Sequence, residues 1–241
     1  MLELRNVGYQ VEDGSEKEIL KDVSLKIEDN VVVITGPNGG GKSTLAKVIA
    51  GIVKPTEGSI FLDGEDITNY SVTERAKAGI SIAFQQPVRF KGLSVRDLIT
   101  IAAGKELSLN EACAYLSEVG LCAKDYIDRE LNASLSGGEI KRIEIATVLA
   151  RGSRFSVFDE PEAGIDLWSF KSLIHVFEKM RNEHNGTVLI ISHQERILNI
   201  ADKIIYIKDG LVEQYGTKEE ILPTLINPAK AGCDVLMEKM E

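Results

Sequence analysis

The chain has 241 residues, 44% of them apolar, enough to bury a core in one large domain or two small lobes. It carries 28 basic and 37 acidic side chains, a net charge of −9, which argues against a main role in gripping nucleic-acid backbone or adsorbing to anionic lipid. Cys113, Cys122 and Cys233 show no C-x-x-C spacing, so neither a zinc site nor a disulfide framework is indicated; they read as small, partly buried residues of a reducing compartment. No apolar leader precedes the first strand, and no apolar run approaches the roughly 18 residues that span a bilayer, so a cytoplasmic protein is expected.

The N-terminal part reads as strands at Leu2–Val7, Glu18–Ile27 and Val31–Thr35, with polar turns at Glu12–Lys17 and Glu28–Asn30. Directly after the third run comes Gly36-Pro-Asn38-Gly39-Gly40-Gly41-Lys42-Ser43-Thr44, which fits the phosphate-binding template G-x-x-x-x-G-K-[ST]. Glycines let successive backbone N–H groups turn inward around an anion. Lys42 is then expected to reach the β- and γ-phosphates of a nucleotide, and Ser43 to place its hydroxyl on Mg²⁺. A helix, Ser43–Ile52, points its positive end at the same anion. Strands at Glu57–Leu62 and Ile80–Phe84 follow, with a capping box at Ser71–Glu74 opening a short helix between them.

From Pro87 to about Arg151 the pattern turns helical, with candidates at Ser94–Ala103, Ser108–Gly120 and Ser136–Arg151. This block, residues 88–150, reads as an inserted lobe. The segment Leu135-Ser136-Gly137-Gly138-Glu139 opens its longest helix. The free N–H groups there make a second anion site, but Ser136 and Glu139 also make a good capping box.

Strand and helix then alternate: Phe155–Phe158, Leu167–Glu183, Thr187–Ser192 and Gln194–Ala201. A hairpin, Lys203–Lys208 with Leu211–Tyr215, turns at Asp209-Gly210, and Lys218–Leu225 is a last helix. Pro223 and Pro228 bracket a weakly patterned tail. This alternation implies an α/β fold with a mainly parallel sheet. The strand Phe155–Phe158 ends in Asp159-Glu160. An acid there suits Mg²⁺, and the next carboxylate suits polarising an attacking water. His175 and His184 match no motif and read as packing or surface residues.

A phosphate loop, Leu-Ser-Gly-Gly-Glu about a hundred residues later, and Asp-Glu some two dozen after that resemble the ABC ATPase family over residues 1–222, leaving a tail at 223–241. The resemblance implies a cassette with an N-terminal antiparallel β portion, ATP and Mg²⁺ as ligands, and a head-to-tail dimer with ATP between each phosphate loop and the partner's Ser136–Glu139. It implies that Tyr9 stacks on adenine and that Gln85, with Gln86 adjacent, senses Mg²⁺ and water. It further implies that Asp166 lies in the loop crossing the dimer and that His193 contacts the γ-phosphate.

The continuation Glu139-Ile-Lys141-Arg142-Ile-Glu144 is similar to SufC-type iron–sulfur assembly ATPases, as are Ala83–Val88 and His193–Leu198. That branch implies a SufB/SufD-like soluble scaffold as partner. The stretch from Gln85 to Ser136, where a partner would dock, is shorter than in better-known members, and Phe155-Ser-Val-Phe is an unusual lead-in to the two acids. The alternative is the nucleotide-binding subunit of a membrane transporter, with a permease as partner. No nucleic-acid partner is expected.

Overall fold

The computed structural model describes residues 1–11, 17–131, 135–183 and 186–226. Most of the expected turn at 12–17, His184, Pro228, Cys233 and most of the tail lie outside the described residues.

Two sheets form the frame. Strands β1 (Leu2–Gln10), β2 (Glu18–Ile27), β4 (Glu57–Leu62) and β5 (Glu65–Asp66) make an antiparallel sheet in the order β2-β1-β4-β5. Strands β3 (Val31–Thr35), β6 (Ile80–Ala83), β7 (Phe155–Asp159), β8 (Thr187–Ile191), β9 (Lys203–Lys208) and β10 (Leu211–Thr217) make the second, in the order β10-β9-β3-β8-β7-β6. All its pairings are parallel except β10 with β9.

Every residue of β3, β7 and β8 is buried, as suits strands covered on both faces. Period-two alternation divides their side chains between two cores. Val32, Ile34, Leu189 and Ile191 face an apolar cluster that holds α1 (Lys42–Ile49) against both sheets. Val31, Val33, Val188 and Ile190 face a second cluster, shared with helices α3 (Val95–Ala103), α4 (Leu109–Glu118), α6 (Gly137–Arg151) and α7 (Leu167–Glu183). The helical block and the sheet therefore share one core. The unusual lead-in is accounted for here. Ser156 pairs in register with Ser81 of β6, and their buried hydroxyls are 3.2 Å apart. Phe158 stacks edge-on against Phe177 with ring centres 5.0 Å apart.

Capping boxes form at Ser71, Ser94, Ser108 and Ser136. The short elements β5 and α5 (Ala123–Tyr126) carry too few residues for a periodic signal. Helix α1 stops at Ile49, earlier than the expected Ile52. The guanidinium of Arg75, on α2 (Val72–Ala78), takes the last carbonyls, donating to Val48 O (2.7 Å) and Ile49 O (2.8 Å), and also to Thr68 O (2.9 Å). Pro223 lies inside α9 (Lys218–Ile226) and not at its end. Ile221, Leu222 and Leu225 pack into the second cluster and keep that helix docked despite the missing N–H. Helix α8 (Glu195–Ile200) completes the set.

Arg75 is 1% exposed, and burial pulls its pKa down to about 10, so it remains charged at neutral pH. Arg75→Leu strands two buried carbonyls and one half-buried one, and is expected to cost about 2–4 kcal/mol of stability. Urea unfolding checks this as a lower midpoint with an unchanged slope.

Candidate active site

The parallel sheet places the site. Ala83 pairs with Phe158, Asp159 with Ile191 and Ile34 with Ile191, so β6, β7, β8 and β3 end at one edge. Just beyond those ends lie Gln85, Glu160, His193 and Gly36. In an open α/β sheet, the carboxyl ends of the strands form the ligand edge.

Between β3 and α1 the chain turns through Gly36, with φ +136°, and Gly41, with φ +101°. A Cβ at Gly36 would lie 1.9 Å from Ile207 O, and one at Gly41 would lie 2.9 Å from Ile19 O. Only glycine fits, in conformation and in space. Helix α1 begins at Lys42, one residue before the expected start. Its N-cap, Gly41, has no side chain to satisfy the first-turn N–H groups. Those donors and the helix dipole form an anion seat. Lys42 is 6% exposed and folds over the loop, donating to Gly36 O (2.8 Å) and Pro37 O (2.9 Å). Burial lowers its pKa, with Glu160 and Asp159 opposing.

A cleft of about 720 Å³ opens beside this loop. Asn38, Gly39, Gly41, Lys42, Ser43 and Thr44 line one side, Gln85 and Glu160 a second, and Lys17 and Lys21 a third. The two lysines escaped sequence reasoning, since Lys17 precedes β2 and Lys21 lies on it with no local pattern aiming either at the loop. Ser43 Oγ donates to Asp159 Oδ1 at 3.1 Å, and burial raises the Asp159 pKa against that bond. A hydroxyl and one carboxylate at the rim of an anion seat suit Mg²⁺, which takes few protein ligands and completes its shell with water and phosphate oxygens. Ser43 and Asp159 would hold such an ion, which would supply charge neutralisation to a bound phosphate.

Glu160 sits at φ +45° and donates its N–H to Ile191 O at 3.0 Å. This left-handed turn redirects the chain at the end of β7. Its Oε2 accepts from Gln85 Nε2 at 2.6 Å, so the two expected catalytic groups touch. His193 lines an adjoining opening with Gly36, Pro37 and Asn38. Desolvation, and then the charge of Lys42, lower its pKa, so the imidazole is neutral at pH 7. Next to it, Ser192 Oγ donates to Glu162 Oε1 at 2.5 Å, a link that the sequence pattern does not signal.

The remaining expected residues lie elsewhere. Ser136 and Glu139 form the capping box, and Tyr126 bonds Glu139, whose pKa is held down to about 2 by that bond and the cap. Ser136, Gly137 and Gly138 do not line the cleft. A Cβ on Gly138 would come 2.9 Å from Gly164 O, so this helix start abuts the 163–165 loop of its own chain. Asp166 caps α7, accepting from Ser169 N at 3.0 Å and Ser169 Oγ at 2.6 Å. Tyr9 also stays out of the cleft. It is half-buried and packs against the cluster around α1, because β1 directs this side chain between the sheets.

A family model described as ABC transporter matches residues 20–163. The chain belongs to the ABC transporter family of ATPases. The cassette is 38% identical over 214 residues to an uncharacterised ABC transporter ATP-binding protein of Methanocaldococcus jannaschii, with 85% of each chain covered. It superposes on a dimeric ATP-binding cassette in a post-hydrolysis state bound to ADP and Pi, with a TM-score of 0.81 and 28% identity, covering 90% of this chain and 99% of that one. It also matches a cassette of Clostridium perfringens that is part of an ABC transporter complex, with a TM-score of 0.75, 29% identity and 98% coverage of both. The cassette is thus an ATPase whose ligands are ATP and Mg²⁺.

Lys42→Ala is expected to abolish productive ATP binding, read as loss of fluorescent-nucleotide titration. Gly36→Ala should do the same through loop distortion, because its Cβ meets backbone.

Proposed function

We propose that the cassette is the ATP-hydrolysing motor subunit of a two-cassette machine. The contact between Gln85 and Glu160 at the rim of the phosphate loop carries this reading, since it holds a carboxylate where a water could be polarised. In this scheme Glu160 is the general base, Gln85 orients it and the water, and neutral His193 donates toward the γ-phosphate. Lys42 and the loop N–H groups bind the phosphates, and Ser43 and Asp159 hold the metal. Each chain has one phosphate loop and one Leu135–Glu139 segment, and the segment does not line its own cleft. A second cassette therefore completes the site, its Ser136–Gly138 approaching the nucleotide and its Asp166 loop lying across the interface. A hydroxyl that accepts in a cap still has a proton to give, so the capping box at Ser136 is compatible with that role. Loss of the γ-phosphate removes the contacts that hold the pair closed.

For the load, the names of the relatives favour a membrane transporter over an iron–sulfur scaffold. No helix among the described residues is long and apolar enough to cross a membrane, so a permease would be a separate chain in this reading. The SufC-like assembly motor is kept as a second reading. Its motive is the Lys141-Arg142 and Glu144 continuation, whose Lys141 and Glu144 contact the Phe84–Gln85 segment.

Glu160→Gln is expected to bind ATP, hydrolyse it very slowly and accumulate as a dimer in size-exclusion chromatography. Turnover at the parent rate would remove Glu160 as the base. Ser136→Arg should bind ATP as a monomer yet fail to dimerise. Pull-down of tagged Glu160→Gln with ATP from the native cell tests the load. A multi-span membrane protein supports the transporter reading, and a soluble scaffold supports the assembly reading.

A further inference from the structure

Helix α6 contacts the catalytic apparatus of its own chain through two side chains that the scheme above does not use. Lys141 is fully buried, an uncommon place for an ammonium. Its Nζ donates to Phe84 O, to Gln85 O at 3.1 Å and to Asp159 O at 3.4 Å. One turn on, Glu144 accepts from Phe84 N at 3.0 Å. Strand β6 has ended at Ala83, so Phe84 and Gln85 lie beyond its ladder. A cation and a carboxylate from α6 take those backbone groups instead. An ammonium and a carboxylate are costly to bury, so apolar packing alone does not account for this pair.

We propose that Lys141 and Glu144 are positioning residues for ATP hydrolysis, fixing the backbone at Phe84–Gln85 so that the Gln85 amide meets Glu160. The inference rests on the Gln85 and Glu160 roles given above and adds the device that sets them. Lys141 also spans to the Asp159 carbonyl, so one ammonium ties the end of β7 to the segment after β6. Helix α6 is capped by Ser136, the end that approaches the partner's nucleotide in the dimer. A shift of this helix is therefore felt at Gln85 in the other half-site. Burial opposes charge on Lys141, and Glu144, Asp159, Glu162 and Glu160 favour it.

The test uses steady-state ATP hydrolysis and nucleotide titration on the full chain. Lys141→Met keeps the buried stem and removes the donor. Its kcat is expected to fall by about tenfold or more, because small misplacements of catalytic groups carry large rate effects. Its KM and nucleotide affinity should stay within about twofold of the parent. Glu144→Leu should behave alike, whereas Glu144→Gln, whose amide oxygen still accepts from Phe84 N, should recover most of the rate. The deciding measurement is the cycle with Gln85→Ala. If Lys141 acts through Gln85, Lys141→Met adds little in that background; independent effects would multiply. Multiplying effects, or a parent kcat in Lys141→Met, would overturn the proposal. If Lys141→Met does not fold, Glu144→Leu and Glu144→Gln in the same cycle decide between these outcomes. The Glu160→Gln control separates the two levels: parent turnover there defeats the general-base reading, whereas slow turnover with a neutral Lys141→Met defeats only the positioning role.

Discussion

The turn after β3 is the constraint on which the rest depends. The backbone at Gly36 runs so close to the Ile207 carbonyl that no side chain fits between them. That close approach presses the phosphate loop onto the end of β9 and aims α1 at the cleft. Helix α1 can keep that direction because both sheets pack on it, with Leu45, Ala46, Val48 and Ile49 in the shared cluster. Arg75 then closes its far end by taking the last carbonyls. The anion seat is thus held at its glycines, along its apolar face and at its C-terminus, and local loosening at any of these would be felt at the loop.

The second organising feature is sheet order. Strand β3 lies beside β8, and β8 beside β7, which pairs with β6. Four chain segments far apart in sequence therefore emerge side by side. The phosphate loop comes from β3, His193 from β8, Glu160 from β7 and Gln85 from the segment after β6. Parallel pairing makes all four emerge in the same direction, so their functional groups converge without any long loop. The left-handed turn at Glu160 is the one non-glycine backbone exception among these four strand ends, and it swings the carboxylate onto Gln85.

Charge is distributed to suit the chemistry. The chain is acidic overall, yet Lys42, Lys17 and Lys21 line the cleft that takes an anionic ligand. Glu160 lines the same cleft, and Asp159 lies beside the loop, bonded to Ser43. Burial raises the pKa of Asp159, Glu162 and Glu144 and lowers that of Lys42 and Lys141. Removal from water drives each of these shifts, and the charge of Lys141 opposes it at Asp159, Glu162 and Glu144.

Much was legible in the sequence because its causes are local. Apolar runs marked the central strands, Ser-x-x-Glu marked helix starts, and the glycine spacing marked the phosphate loop. Each depends on residues within one turn or one strand. What escaped depends on neighbours brought from afar. The half-burial of Tyr9 depends on the cluster around α1, which its own segment does not reveal. The end of α1 depends on Arg75, the docking of Pro223 within α9 on the cluster beneath it, and the place of Lys141 on Phe84 and Asp159. The sequence by itself determined which chemical groups this protein carries and which strands and helices present them. Only the tertiary structure decided which of them meet, because contacts between residues dozens of positions apart are set by strand order and register, and a linear pattern does not encode those directly.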